Sequence, residues 1–177
     1  MYRFTTIIKG IKLHIPPPSY RQYIILRTCK DDIELIDTIK DILNSNVEGI
    51  KLEIFKDVNI LEIPKFIKEI LAWIYKIKSE HKEMQVPYAP HDGSNPKFQN
   101  LSSDVKIVAD YMNASFFKVW NLSVLDFFGY LHDAIVWNCE KSEAGKEYLS
   151  EAFDYEQTEP DRNAIRAKMR GGANNGK

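Results

Sequence analysis

One stretch of the chain, VLDFFGYLHDAIVWN at residues 124–138, is apolar on nearly every side of the helix that it predicts. A helix of this kind either lies at the centre of a core or docks against a partner. Ser123 and Asp126 have the spacing of a capping box, which places the helix start at Val124. Its apolar side chains include Phe127, Phe128, Tyr130, Leu131, Ala134, Ile135, Val136 and Trp137.

The segments on both sides of this stretch also have helical periodicity. Ser103 is predicted to cap a helix that leads into an aromatic group, Phe116, Phe117 and Trp120. Ser142 is predicted to begin another helix, and Pro160 a last short one. We therefore predict that residues 104–170 form a helical lobe, followed by a disordered Gly/Asn tail at residues 171–177.

The N-terminal residues 2–27 alternate with a period of two, which is typical of strands. The alternation changes phase at Gly10, so we predict an antiparallel β-ribbon with a bulge or a tight turn there. Pro16 to Ser19 is a connection, because proline cannot donate ladder hydrogen bonds. Tyr20 to Arg27 is rich in Tyr and Ile and is predicted to be a further strand.

Two amphipathic helices are predicted after this region. Asp31 and Glu34 have capping-box spacing and precede an apolar stripe that ends near Asn44. The second helix runs from about Ile63 to Lys82, with Pro64 tolerated in its first turn. Residues 47–60 fit a strand and a helix equally well, and both readings stay open.

A proline-rich loop divides the chain. Pro87, Pro90, Gly93 and Pro96 prevent regular structure, and a loop of this length is either functional or a hinge. We predict a lobe at residues 1–86, a loop or linker at 87–103 and the helical lobe at 104–170. The fold class is mainly α (α+β), with a short N-terminal antiparallel β-ribbon followed by a helical bundle in two lobes.

Composition narrows the class of protein. The chain has 177 residues, 44% of them hydrophobic and 28% charged, with a net charge of -1. The apolar content excludes a disordered chain, and the charge balance argues against a general nucleic-acid binder. No apolar run reaches the length of a membrane span, and charged residues interrupt every N-terminal stretch that could be a signal peptide. Two cysteines suit a reducing cytoplasm.

Candidate catalytic and metal-binding residues are few. His132 and Cys139 lie two helical turns apart, about 10 Å, which is beyond hydrogen-bond reach. His81, His91 and Asp92 lack the spacing of a zinc site and have no nearby cysteine. We therefore expect no enzymatic activity, no metal and no cofactor.

Two surface features favour binding to a partner protein. Residues 140–161 are strongly acidic, which fits either a solvated helix face or an electrostatically marked docking surface. The aromatic group around residues 116–137 is denser than a small core needs, and surplus aromatics often anchor interfaces. The predicted partner-binding residues are Trp120, Phe127, Tyr130 and Trp137, using those that are exposed, with Glu143, Glu147 and Glu151 as a charged rim.

The order of features resembles a family of small phage proteins. The ribbon strand Ile11 to Ile15, the break at Pro16 to Ser19 and the strand Tyr20 to Arg27 come first. The acidic-capped helix DIELIDTIKDIL at residues 32–43, the turn NVEGI at 46–50 and a helix over residues 60–77 follow. This order is similar to that of tail-assembly and baseplate-hub assembly chaperones of tailed bacteriophages. The stretch WNCEK at residues 137–141 is similar in style, whereas the loop from Pro87 to Pro96 departs from the pattern.

The resemblance implies a non-enzymatic assembly chaperone. Its partner would be an aggregation-prone tail protein, such as the tape measure or a hub subunit, bound in the host cytoplasm during assembly. A structural tail or baseplate subunit retained in the virion is the alternative, and a small regulatory or host-interaction protein is a third reading. Binding to nucleic acid or to a membrane is not expected, and a homo-oligomer is left open.

Overall fold

The computed structural model describes residues 2–8, 11–44, 63–88 and 101–158. The chain begins with two antiparallel strands, β1 (Phe4–Ile8) and β2 (Ile11–Ile15), whose register pairs Phe4 with Ile15. Phe4, Leu13 and Ile15 are buried, as the alternation requires. The predicted ribbon is confirmed, and the predicted turn residue Gly10 lies outside the described residues.

The segment after the prolines is a helix, α1 (Tyr20–Thr28), so the predicted strand from Tyr20 to Arg27 is wrong. A capping box starts the helix. The backbone N–H of Gln22 donates to Ser19 Oγ at 3.2 Å, and the N–H of Ser19 donates to Gln22 Oε1 at 2.9 Å. These local bonds favour the helix, whereas the strand propensity of Tyr and Ile is a weaker, context-dependent preference.

Both predicted N-terminal helices are present, as α2 (Asp32–Asn44) and α3 (Ile63–Glu80). Asp31 Oδ1 accepts hydrogen bonds from the backbone N–H groups of Ile33 and Glu34, at 2.8 and 3.1 Å. A short 3-10 helix, Lys82–Met84, follows α3. The ambiguous residues 47–60 lie outside the described residues.

Four more helices follow: α4 (Leu101–Met112), α5 (Phe116–Trp120), α6 (Val124–Cys139) and α7 (Glu143–Thr158). Asn113, with a φ of 48°, ends α4 in the left-handed conformation that asparagine tolerates. The helix predicted after Pro160 and the tail at 171–177 lie outside the described residues. Across the described ranges the fold is mainly α with one two-stranded ribbon, as predicted.

The chain divides into two units that differ from the predicted lobes. Unit 1 comprises Met1–Gln85 and Asn100–Ala134, and unit 2 comprises Val86–Gln99 and Ile135–Lys177. Helices α4 and α5 and most of α6 therefore belong with the N-terminal elements. The division at residues 87–103 was predicted from the position of the prolines. The observed division instead reflects which residues contact one another in space.

A backbone bridge joins distant parts of unit 1. The N–H of Tyr20 donates to Leu122 O, and the N–H of Val124 donates to Pro18 O, both at 2.8 Å. Ser19 and Ser123 face each other in this antiparallel bridge. Each serine also caps a helix: Ser123 Oγ accepts from the N–H of Asp126, at 3.1 Å, at the start of α6. The bridge therefore holds the first turns of α1 and α6 together.

The core of unit 1 is built around this bridge. The Tyr20 and Phe127 rings stack with centroids 3.5 Å apart and an interplanar angle of 13°. Helix α6 is thus central to the core along its first half, one of the two roles predicted for it. Among the described residues of unit 1, the largest other side chains that are almost completely buried are Ile15, Ile42, Leu43, Ile70, Ile74, Val105, Val108, Val119 and Val124.

Unit 2 has its own contacts. The hydroxyl of Tyr148 donates to Pro87 O at 2.9 Å, and the rings of Tyr88 and Tyr155 meet edge to face with centroids 5.7 Å apart. Ala152, on the same helix, is buried. Residues 86–88 are therefore held against α7.

Candidate protein-binding site

The short helix α5 presents aromatic side chains to solvent. Ser115 caps it, with its Oγ accepting from the N–H of Lys118 at 3.3 Å. A single turn points Val119 into the core, where it is fully buried, and leaves Phe116 and Phe117 outside, 48% and 76% exposed. Two neighbouring exposed phenylalanines are uncommon on a surface that touches only water.

A cleft of about 370 Å³ lies beside these rings, between α1 and α5. The α1–α5 cleft is defined by Arg21, Ile24, Ile25, Glu34, Phe117, Trp120 and Asn121. Trp120 is half-buried, and its ring stacks on Tyr20 with centroids 5.5 Å apart. Asn121 Nδ2 donates to Phe117 O at 2.7 Å, which fixes the end of α5. The apolar wall of the cleft is therefore preformed.

The α1–α5 cleft continues into an acidic cleft of about 600 Å³ between α1 and α2. The two clefts share four residues, namely Arg21, Ile25, Glu34 and Asn121. The acidic cleft adds the carboxylates of Asp31, Asp37 and Asp41. An apolar pocket with an acidic side fits an apolar side chain with a basic neighbour.

The structure divides the predicted binding residues between the two units. Trp120, Phe127 and Tyr130 belong to unit 1, and Trp137 and the three glutamates belong to unit 2. Phe127 is fully buried against Tyr20, so it is a core residue and cannot contact a partner. Trp120 lines the α1–α5 cleft, and Tyr130 is 37% exposed.

The predicted residues of unit 2 lie at the end of α6 and along α7. Trp137 is 49% exposed, and Lys141 Nζ lies 3.1 Å above the centroid of its ring. Glu143, Glu147 and Glu151 are exposed and follow one another at intervals of four residues, which places them on one helix face. Glu143 pairs with Lys146 at 2.7 Å. The acidic rim exists as a surface, and its binding role remains a prediction.

Sequence reasoning missed the α1 side of the cleft. Ile24 and Ile25 were placed in a strand, where consecutive side chains point to opposite faces. In the helix both line the same cleft. The spacing of Ser19 and Gln22, a serine followed three residues later by glutamine, was the pattern that could have indicated this helix.

His132 and His81, two of the predicted candidates, have structural partners, and so does Cys29, which the sequence did not single out. His132 Nδ1 lies 2.7 Å from Gln85 O and donates to it, because a carbonyl oxygen only accepts. The thiol of Cys29 donates to Glu34 Oε2 at 3.1 Å, and this hydrogen bond raises the pKa of the thiol, the opposite of nucleophile activation. His81 contacts the Tyr2 hydroxyl and Glu83, while His91 and Asp92 lie outside the described residues. Within the described ranges, no three His, Cys, Asp or Glu side chains group to hold a metal.

No family model, curated protein or solved structure matches the chain. Within the described ranges, none of the helices combines the length and the hydropathy needed to cross a bilayer.

Proposed function

We propose that the protein is a non-enzymatic binding protein that holds an apolar segment of another polypeptide in the α1–α5 cleft. The observation that carries this proposal is the position of Phe117, 76% exposed at the edge of a preformed apolar cleft. Leaving such a ring in water forgoes the free energy of burial, about 25 cal/mol per Å² of apolar surface. A partner segment that covers it recovers that energy.

The class that we propose is a bacteriophage tail or baseplate assembly chaperone, as the resemblance implies. Such a protein would bind the tape measure or a hub subunit in the host cytoplasm and leave before the particle is complete. The acidic cleft next to the apolar wall supports a partner segment that contains basic residues. The exposed charges around the cleft would limit self-association.

The alternative is a structural subunit that stays in the virion. Exposed aromatic side chains in unit 2, Trp137 and Phe153, favour this alternative because a subunit between neighbours needs more than one contact surface. Mass spectrometry of purified particles separates the two functions. Recovery at fixed copy number would support the subunit, and absence from particles whose assembly needs the protein would support the chaperone.

The site is tested with two matched alanine substitutions. Phe117→Ala should weaken binding of the co-expressed tape-measure protein by about 2 kcal/mol or more, the range for anchoring residues. Phe153→Ala removes another exposed ring, 62% exposed and in unit 2, and is the control. Titration calorimetry on the purified pair gives both values. Should Phe153→Ala weaken binding while Phe117→Ala has no effect, the site lies on α7 and the α1–α5 cleft is not the site.

A further inference from the structure

A second groove of unit 1 lies on the other side of α1, between α1 and α3. It encloses about 490 Å³, within the range of pockets that take a ligand group, about 300–1,000 Å³. The α1–α3 groove is defined by Tyr23, Arg27, Leu71, Ile74, Tyr75, Lys78, Ser79, Gln85 and Phe128. Ile74 and Phe128 are buried, whereas Tyr75 is 74% exposed. The groove therefore has an apolar floor and an open top.

Two cationic side chains of this groove, Arg27 and Lys78, make cation–π contacts with aromatic rings that also line it. The Cζ atom of Arg27 lies 5.5 Å from the centroid of the Tyr23 ring, and its Nη1 donates to the Tyr23 hydroxyl at 3.1 Å. Lys78 Nζ lies 4.1 Å from the centroid of the Phe128 ring. Such contacts hold a cation in place without neutralising its charge. The two charges are therefore positioned in advance of any ligand.

Neither cation has a carboxylate partner among the residues that the structure describes. Across the described parts of the chain, no carboxylate oxygen lies within 4.0 Å of Arg27 or Lys78. Asp104 acts on Lys78 only from beyond that distance, and its attraction does not offset burial and the nearby Arg27 guanidinium, which lower the pKa of Lys78. A half-buried ammonium that repels its neighbour gains from an added anion.

We propose that the α1–α3 groove docks an acidic segment of a partner polypeptide. An apolar side chain of that segment would cover the floor at Ile74 and Phe128, and an adjacent carboxylate would pair with Arg27 and Lys78. Arg27 can bind a carboxylate through two parallel N–H groups, which adds orientation to the attraction. The groove thus has the opposite charge preference to the α1–α5 cleft, and the proposal does not depend on the phage class or on that cleft.

The open top of the groove favours a polypeptide over an enclosed small molecule. Exposed Tyr75 and Ser79 extend the surface beyond the floor, so a chain can run across it. Charge complementarity also separates the candidate segments, because basic and neutral chains would leave the two cations unpaired. The expected partner segment therefore has a carboxylate next to an aliphatic or aromatic residue.

The test uses a displayed library of short random peptides selected on the full-length protein. Selection on the wild type should enrich peptides in which Asp or Glu adjoins an apolar residue. The double variant Arg27→Gln with Lys78→Gln should lose this enrichment. The matched control, Lys65→Gln with Lys76→Gln, removes two exposed charges from α3 outside the groove and should keep it. Circular dichroism of both double variants is the control for folding.

The best peptide and its version with Gln for Glu are then synthesised with a fluorescent label. We expect the wild type to bind the Glu peptide at least about tenfold more tightly than the Gln peptide, a difference of about 1.4 kcal/mol. The double variant should bind the two peptides equally. The proposal would be overturned if the selected peptides had no excess of carboxylates. It would also be overturned if the double variant bound the Glu peptide as tightly as the wild type does. Self-association of the wild type that the double variant abolishes would also overturn it, because a second copy would then be the occupant.

Discussion

Tyr20 takes part in several of the contacts that hold unit 1 together. Its ring contacts Phe127 and Trp120, and its backbone N–H makes one of the two bridge hydrogen bonds. Burial, with a smaller contribution from Asp104, raises the pKa of Tyr20 to about 12. Tyr20 thus connects the core and the wall of the α1–α5 cleft through its ring, and the bridge through its backbone.

Two substitutions at Tyr20 distinguish what its ring contributes to stability from what its hydroxyl contributes. Tyr20→Ala should lower the free energy of unfolding by about 3–5 kcal/mol, as expected for loss of a buried aromatic ring. Tyr20→Phe keeps the ring stacked on Phe127 and should change stability by less than about 1 kcal/mol near neutral pH. Urea unfolding measures both. A loss as large in Tyr20→Phe as in Tyr20→Ala would show that the hydroxyl, not the ring, stabilises the core.

The wild type and Tyr20→Phe should also differ in how their stability depends on pH. The folded state holds the Tyr20 proton more tightly than the unfolded chain, so this stabilisation is complete below pH 10.0 and is lost as the pH rises towards about 12. Tyr20→Phe has no such proton to lose. Its stability relative to the wild type should therefore increase across this interval. An unchanged difference between the two proteins would mean that Tyr20 titrates normally.

Among the elements, the turn between α6 and α7 depends on a close approach. A Cβ atom at Gly145 would lie 2.1 Å from the carbonyl oxygen of Cys139 and 2.6 Å from its Cα, and neither backbone atom can move freely. A Cβ at Gly129, in α6, has nothing within 4 Å. The two helical glycines therefore have opposite steric surroundings.

Alanine at these two positions should have opposite effects. Gly129→Ala should raise the free energy of unfolding by up to about 1 kcal/mol, the difference in helix propensity. Gly145→Ala should lower it by about 1–3 kcal/mol, because overpacking against fixed backbone exceeds the gain in propensity. Thermal unfolding of both variants is the measurement. Stabilisation by Gly145→Ala would mean that the turn between α6 and α7 opens without penalty.

Local patterns predicted most elements and failed where two of them conflicted. The ribbon, α2 and α3 followed from period, caps and breakers, because each pattern acts within a few residues. The segment Tyr20 to Arg27 carries both strand propensity and a capping box, and the packing of Tyr20 on Phe127 favours the helix. The α1–α5 cleft could not be predicted, since it needs α1 as a helix and its contact with residues far along the chain.

At the scale of the whole molecule, the bridge makes unit 1 discontinuous in sequence. The predicted boundary in the loop from Pro87 to Pro96 would separate Ser19 from Ser123. A fragment of residues 1–86 should therefore unfold without cooperativity, because it lacks Val124 and Phe127, whereas a fragment of residues 1–134 should unfold cooperatively. Denaturant titration followed by circular dichroism compares them. A cooperative transition in the shorter fragment would show that the bridge is dispensable.

The bridge also has a consequence for the protein during its synthesis. Ser123 leaves the ribosome about one hundred residues after Ser19, which at roughly 5–20 residues per second is an interval of about 5–20 s. Throughout that interval Tyr20 has no α6 to cover it, and the nascent chain exposes apolar surface. Unit 1 therefore completes its folding late in translation. Its first contacts with other proteins depend on the order in which its segments leave the ribosome.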